Sequence, residues 1–230
     1  TTETATNGLE TTNITLVDQT TTESTRNENQ ILGTVEYVTR STSQSTRDSE
    51  MNNQGLKWVN NTTSTSEMVI EHEGNSITGE FDKEERSQSE AESTETETNR
   101  GRTETFDAEQ TKNSVTVQTG NSVTGASSGS TTSQSESSTS HRIENQSLIV
   151  TAVIDDSVTQ SATFASNSIV GTTSSTTENT SSRTRNETVT NGPLTASVTE
   201  TSSTSSTATR DANTITGTYS DTNSGQQQSR

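Results

Sequence analysis

Apolar residues are sparse along this chain, and where they occur they alternate with polar ones. Leu148, Val150, Ala152 and Ile154 interleave with Ile149, Thr151, Val153 and Asp155. Leu194, Ala196 and Val198 interleave with Thr195, Ser197 and Thr199. Ile31, Gly33, Val35 and Tyr37 keep the same step, as do Ile77, Gly79 and Phe81. A period of two places successive side chains on opposite faces of a strand. No stretch carries a helical period, so the pattern predicts an all-β chain.

The pattern is also periodic on a longer scale. The phrase "GNSITG" at 74–79 returns as "GNSVTG" at 120–125, "SNSIVG" at 166–171 and "ANTITG" at 212–217. Its Asn residues are Asn29, Asn75, Asn121, Asn167 and Asn213, each 46 positions after the last. A second set, Asn7, Asn53, Asn99, Asn145 and Asn191, keeps the same step. An aliphatic residue (Ile31, Ile77, Val123, Ile169, Ile215) and a glycine two places on (Gly33, Gly79, Gly125, Gly171, Gly217) recur with the first set. Five units follow, at 1–46, 47–92, 93–138, 139–184 and 185–230, and they consume all 230 residues. Such self-similarity is the signature of a repeat architecture.

Turn signals near columns 7, 18, 28 and 40 of each unit predict four short antiparallel strands of roughly eight to ten residues. Asn-Gly at 7–8 and 191–192 favours hairpins, hence an elongated antiparallel array; a β-solenoid is the alternative. Four strands per unit would advance each repeat by about 19 Å, holding equivalent Asn residues tens of ångströms apart. The aliphatic residues of the phrase, fixed in phase beside Gly, are expected to be among the most buried of their units. The Gly is expected to admit a close neighbour. The recurring Asn residues suit side-chain ladders between units, or serve as turn residues that tolerate left-handed backbone.

Composition changes this picture in one respect. Hydrophobic residues make up 20%, aromatics 3%, and the formal net charge is −17. Such values ordinarily mark a chain unable to bury enough apolar surface to order itself. Ser and Thr account for roughly two fifths of the residues, as in mucin-like stalks, yet Pro193 is the only proline. A fixed aliphatic-x-Gly phase has no use in a disordered stalk, so an ordered chain is expected, with thin cores shared between neighbours. The third unit is the thinnest, with Arg102 and Glu104 where other units place Leu or Trp58. The ends carry no atypical capping unit. Thr1 opens the chain with no signal peptide, and no apolar run is long enough to span a membrane. These units are therefore expected to be a window of a longer array.

No catalytic, cofactor-binding or metal-ligating set emerges, and the expectation is a protein that is not an enzyme. His72 and His141 occupy different columns of their units and read as surface residues. Without Cys there is no disulfide, thiolate or zinc knuckle. The acidic stretches "EFDKEER", "EAESTETE" and "IDDS" could attract calcium weakly, but no calcium-loop motif accompanies them. Solvated negative faces are the favoured reading. A sequence pI near 4.4 opposes nucleic-acid binding. Sequons at Asn13, Asn60, Asn61, Asn145, Asn179 and Asn186 ignore the 46-residue beat and carry no weight. The hydroxyl runs at 127–140 and 199–209 offer room for covalent O-glycans on outward faces and turns.

The phrase "GNSITG", with "TVTNG" and "TGTYSDT", resembles the giant Ser/Thr-rich tandem-repeat secreted proteins of planctomycete-like bacteria, and more loosely bacterial adhesin stalks and extracellular fibres. The resemblance implies secretion, length and a structural or adhesive role. Together these readings lead to a structural subunit of an extracellular or cell-surface filament with a glycosylated hydroxyl-rich coat. Self-association of repeats or chains would build it. The alternative is the stalk or ligand-binding array of an adhesin.

Overall fold

The computed structural model describes residues 2–7 and 10–230, without the side chains of Thr6 and Asn7. Eleven strands follow one another: β1 (Thr2–Asn7), β2 (Glu10–Asn29), β3 (Thr34–Asn53), β4 (Leu56–Asn75), β5 (Glu80–Asn99), β6 (Arg102–Asn121), β7 (Ala126–Asn145), β8 (Leu148–Asn167), β9 (Thr172–Asn191), β10 (Leu194–Asn213) and β11 (Thr218–Ser229). They form one open sheet in which each strand pairs antiparallel with its sequence neighbours, in the order β1 to β11. No strand pairs β1 with β11, so the sheet does not close. The all-β, elongated antiparallel array expected from the sequence is the architecture observed.

Its strands are fewer and longer than the turn signals suggested. Each unit holds two strands of 20 residues rather than four of eight to ten. The signals near columns 18 and 40 lie inside strands: Asp155-Asp156 is within β8 and Ser224-Gly225 within β11. Asp and Ser favour turns only when the backbone gains by leaving the ladder. Here the register runs unbroken on both sides of β8, Asp156 opposite Ser137 and Arg183, so the ladder wins. Two strands advance a unit by about 10 Å, half the expected step.

The two ends of the strands turn differently. Between β3 and β4, β5 and β6, β7 and β8, and β9 and β10, two residues suffice. Gln54-Gly55 and Arg100-Gly101 both have positive φ, as in a type I′ turn. Between β2 and β3, and at every second connection after it, four residues are used, ending in Gly33, Gly79, Gly125, Gly171 or Gly217.

Among the described residues no hydrophobic side chain is buried. The solvent-accessible area is 15110 Å², against about 10,000 Å² for a compact protein of this mass. The molecule is a single layer. It is held by backbone ladders, cross-strand pairs and, chiefly at one edge, contacts between turns.

Candidate functional site

The four-residue turns form a continuous ladder along one edge of the sheet. In each, the Asn that ends the strand folds its side chain over the turn. Asn121 Oδ1 accepts hydrogen bonds from the backbone N–H of Val123 (2.9 Å) and Thr124 (3.0 Å). Asn29, Asn75, Asn167 and Asn213 accept the equivalent pairs. This is the local capping for which Asn and Asp are suited.

The amide nitrogen reaches backward to the preceding turn. Asn75 Nδ2 donates to the Leu32 carbonyl (3.1 Å), Asn121 to Thr78 (3.0 Å), Asn167 to Thr124 (3.4 Å) and Asn213 to Val170 (3.4 Å). The next backbone N–H extends the strand ladder past its end. Ser76 donates to the Gly33 carbonyl at 2.8 Å, and Ser122, Ser168 and Thr214 donate to Gly79, Gly125 and Gly171. The hydroxyls of the same four residues donate to the same carbonyls at 3.2–3.4 Å. Asp could serve the first role of Asn but lacks the donor for the second.

The aliphatic residues are not buried, contrary to expectation. Ile31 is 88% exposed, and Ile77, Val123, Ile169 and Ile215 are 60–68% exposed. They sit in the turns rather than on a strand face, so no layer lies over them. Each of the last four covers the glycine of the preceding turn. A Cβ on Gly33 would lie 2.6 Å from Ile77 Cγ1, and on Gly79 2.7 Å from Val123 Cγ2. Gly125 and Gly171 meet Ile169 and Ile215 in the same way. Gly33, Gly79 and Gly171 are buried, and beyond them only Ser49 is buried among the described residues. The close approach read from the aliphatic-x-Gly phase is present, with glycine as the covered partner. Equivalent Asn residues are not isolated from neighbouring units: each of the last four touches the turn before it.

The second Asn set does not form such a ladder. Asn53, Asn99, Asn145 and Asn191 close the two-residue turns, and Asn191 Oδ1 accepts from Ser147 Oγ at 3.3 Å. A Cβ added to Gly55 or Gly101 would meet nothing within 4 Å. The side chain of Asn7, and Gly8, lie outside the described residues. Sequence reasoning missed Ser76, Ser122, Ser168 and Thr214. Their hydroxyls recur in four of five units, a signal lost among so many other Ser and Thr residues.

The strand faces differ sharply. Paired residues share a face, so the register assigns every described strand side chain to one of two. Tyr37, Trp58, Phe81, Phe106, Phe164 and Tyr219, all the aromatic residues of the chain, share one. Met51, Met68, His72 and His141 lie there too. So do the four strand glycines, Gly74, Gly120, Gly129 and Gly225. Tyr37 stacks on His72 at 4.7 Å between ring centroids, and His72 faces Phe81 at 6.2 Å. The Phe81 ring lies over Gly120 and the Phe164 ring over Gly129. A Cβ at either glycine would collide with the ring, so these glycines give the rings room to lean onto the neighbouring strand.

Charge divides the same way. The aromatic face carries 12 acidic and eight basic side chains, the other face 19 and four. On the acidic face, carboxylates stand directly opposite one another: Glu36 opposite Glu73, Glu73 opposite Asp82, and Glu71 opposite Glu84. On the aromatic face, His141 Nε2 and Glu104 Oε1 lie 2.6 Å apart, and Arg102 also bonds Glu104. Hydrogen bonding from His141, more than the Arg102 charge, holds the Glu104 carboxyl below the usual carboxylate range. Among the described residues no group of three or more His, Asp or Glu is placed to hold a metal ion.

No protein-family model matches the chain, and no curated protein is similar to it in sequence. Among solved structures, it is similar to the ferric yersiniabactin uptake receptor FyuA of Yersinia pestis. Identity is 6% and the TM-score 0.46, over 91% of this chain and 43% of that one. It is also similar to BauA, the ferric preacinetobactin receptor of Acinetobacter baumannii, at 7% identity and TM-score 0.24, over 96% of this chain and 42% of that one. OccK2 of Pseudomonas aeruginosa, solved with glucuronate, is similar at 6% identity and TM-score 0.15. This chain spans less than half the length of the first two, and at these scores none carries a functional argument.

Proposed function

We propose that the chain is a structural subunit of an extracellular filament or matrix fibre, built by adding 46-residue β units in one direction. The turn ladder is the observation that carries this reading. Each unit bonds its neighbours through Asn, Ser or Thr, and Gly, as Asn121, Ser122 and Gly79 do. Nothing in the geometry of one unit sets a final number of units. In such a filament the strands would run across the fibre axis and the sheet would grow along it. Length and stiffness are what such a module supplies.

A hydrated coat fits the same role. The strand centres are polar, and that of β3 is hydroxyl-rich on both faces: Ser41, Ser43 and Ser45 on one, Thr42 and Thr46 with Gln44 on the other. A lipid-facing strand needs a continuous apolar band at its middle, and these strands have polar middles. The outward hydroxyls would carry O-glycans, and the acidic face would keep filaments apart. Secretion and the likeness to giant Ser/Thr-rich repeat proteins belong to this proposal. Fibre diffraction from the native assembly tests it. Meridional reflections are expected near 4.8 Å and 9.6 Å, for one strand and one unit. A native protein found only as isolated particles, with no axial repeat, would rule it out.

A further inference from the structure

We infer that the aromatic face is an interface, covered by the aromatic face of a second copy of the chain. The need for a cover comes from the single layer. With no hydrophobic side chain buried among the described residues, the sheet lacks the apolar burial that ordinarily offsets the entropy of ordering. A second layer about 10 Å away supplies it.

The choice of face follows from chemistry. All six aromatic residues and both methionines lie on one side of the sheet. Random assignment to two faces would rarely do this. The Phe81 and Phe164 rings reach over Gly120 and Gly129 of the neighbouring strands, so each spreads its apolar surface across two strands. Charges on this face are largely neutralised within it. Arg185 bonds Glu187 (2.5 Å) and Glu200 (3.4 Å), Lys83 bonds Glu85, and Arg102 and His141 share Glu104. Hydroxyls are likewise paired across strands, Ser43 with Ser66 at 2.8 Å and Thr116 with Thr131 at 3.1 Å. Charges and hydroxyls satisfied in advance cost far less to bury than bare ones.

The choice of occupant follows from charge and area. With 12 acidic and eight basic side chains against 19 and four, the net charge is about −4 on the aromatic face and −15 on the other at pH 7. A face so nearly neutral calls for no oppositely charged foreign partner and is complementary to itself. Two copies related by a twofold axis bury their aromatic faces and turn both acidic faces to water. The opposite stacking would press 15 net charges against 15. The face measures about 48 by 66 Å from strand spacing and rise, roughly 3,000 Å². Even half-overlap of two copies buries about as much as an obligate dimer interface. This inference does not rest on the filament reading.

Single cysteines test it, since the chain has none. Thr65 and Ser66 are neighbours in β4, on opposite faces, and both are exposed in the isolated sheet. Thr65→Cys and Ser66→Cys are small changes at mid-strand. Each variant is sedimented, then labelled with a maleimide, natively and after unfolding. The expected result is twice the 24.5 kDa chain mass, or an even multiple of it. The Ser66→Cys thiol should label at least about tenfold more slowly than Thr65→Cys, with equal rates after unfolding. A monomer overturns the inference. So does an oligomer in which the two thiols label equally, as edge-to-edge joining would give, or in which Thr65→Cys is the protected one. Filaments with equal labelling would overturn the face pairing and leave the filament reading standing.

Discussion

Asn121 donates its side-chain N–H to the carbonyl of Thr78, 43 residues earlier in the chain, at 3.0 Å. That bond joins one 46-residue unit to the one before it, and Asn75, Asn167 and Asn213 make its equivalents. Asn29 caps its own turn in the same way but bonds no preceding turn among the described residues. The pair Asn29 and Asn121 therefore separates capping from coupling.

Asn121→Ala is expected to cost more stability than Asn29→Ala. Loss of the cap alone costs about 1 kcal/mol by analogy with helix caps, and the bond to Thr78 adds about 0.5–1.5 kcal/mol. Asn121→Asp retains the acceptor, loses the donor and sets a carboxylate beside a carbonyl, so it should not rescue. Urea denaturation of the three variants checks this. Equal losses for Asn29→Ala and Asn121→Ala would show that the ladder bond contributes nothing.

The glycines permit a second comparison of this kind. Gly171 and Gly217 have the same φ of +71°, but a Cβ would strike Ile215 at Gly171 and meet nothing within 4 Å at Gly217. Gly217→Ala carries only the left-handed backbone cost, about 1–2 kcal/mol. Gly171→Ala adds overpacking of about 1–3 kcal/mol. Thermal unfolding of both variants measures the difference, which isolates the contact between turns.

Part of this arrangement is legible in the sequence. Alternation is legible because it is a local requirement of strand geometry, and the unit because the Asn-aliphatic-Gly phrase recurs at a fixed step. Asp155-Asp156 misled because turn preference yields where the ladder is complete on both sides. Ile77 and its equivalents misled because a fixed aliphatic beside Gly normally signals a core, and this layer has none. Their constancy reflects the packing of each upon a glycine 44 residues earlier, a contact invisible until the register is known. The segregation of Trp58, Phe81 and Phe164 to one face was hidden for the same reason. Parity along one strand is readable, but relating the faces of eleven strands requires every turn length.

Salt should stabilise this protein. Glu36, Glu73 and Asp82 lie in register across three strands, and directly opposed like charges are destabilising by a few tenths to about 1 kcal/mol per pair. Asp82→Lys replaces repulsion with attraction and should raise stability by about 1 kcal/mol at low ionic strength. The gain should shrink towards zero near 1 M salt. Melting temperatures of the two proteins across a salt series give the answer.

Acid acts on Glu104 in the opposite sense. Its carboxyl is lowered in the folded protein by the His141 hydrogen bond. Its contribution is thus complete above the ordinary carboxylate range and is lost as pH falls through the lowered folded value. His141→Ala should remove most of that dependence. Stability of the wild type and the variant, measured between about pH 6 and pH 3, should converge at the acid end.

The most direct measurement is the advance per unit. Thr78 and Thr216 occupy the same place in turns three units apart and are both exposed. In a chain free of Cys, Thr78→Cys and Thr216→Cys give a unique spin-label pair. Six strand spacings place these positions about 29 Å apart, and pulsed electron paramagnetic resonance should report a distance near that value, broadened by the label arms. A separation near 15 Å would mean that each unit winds once around a solenoid. One of about 60 Å or more would mean four strands or a separate bead per unit, and either would contradict the turn ladder.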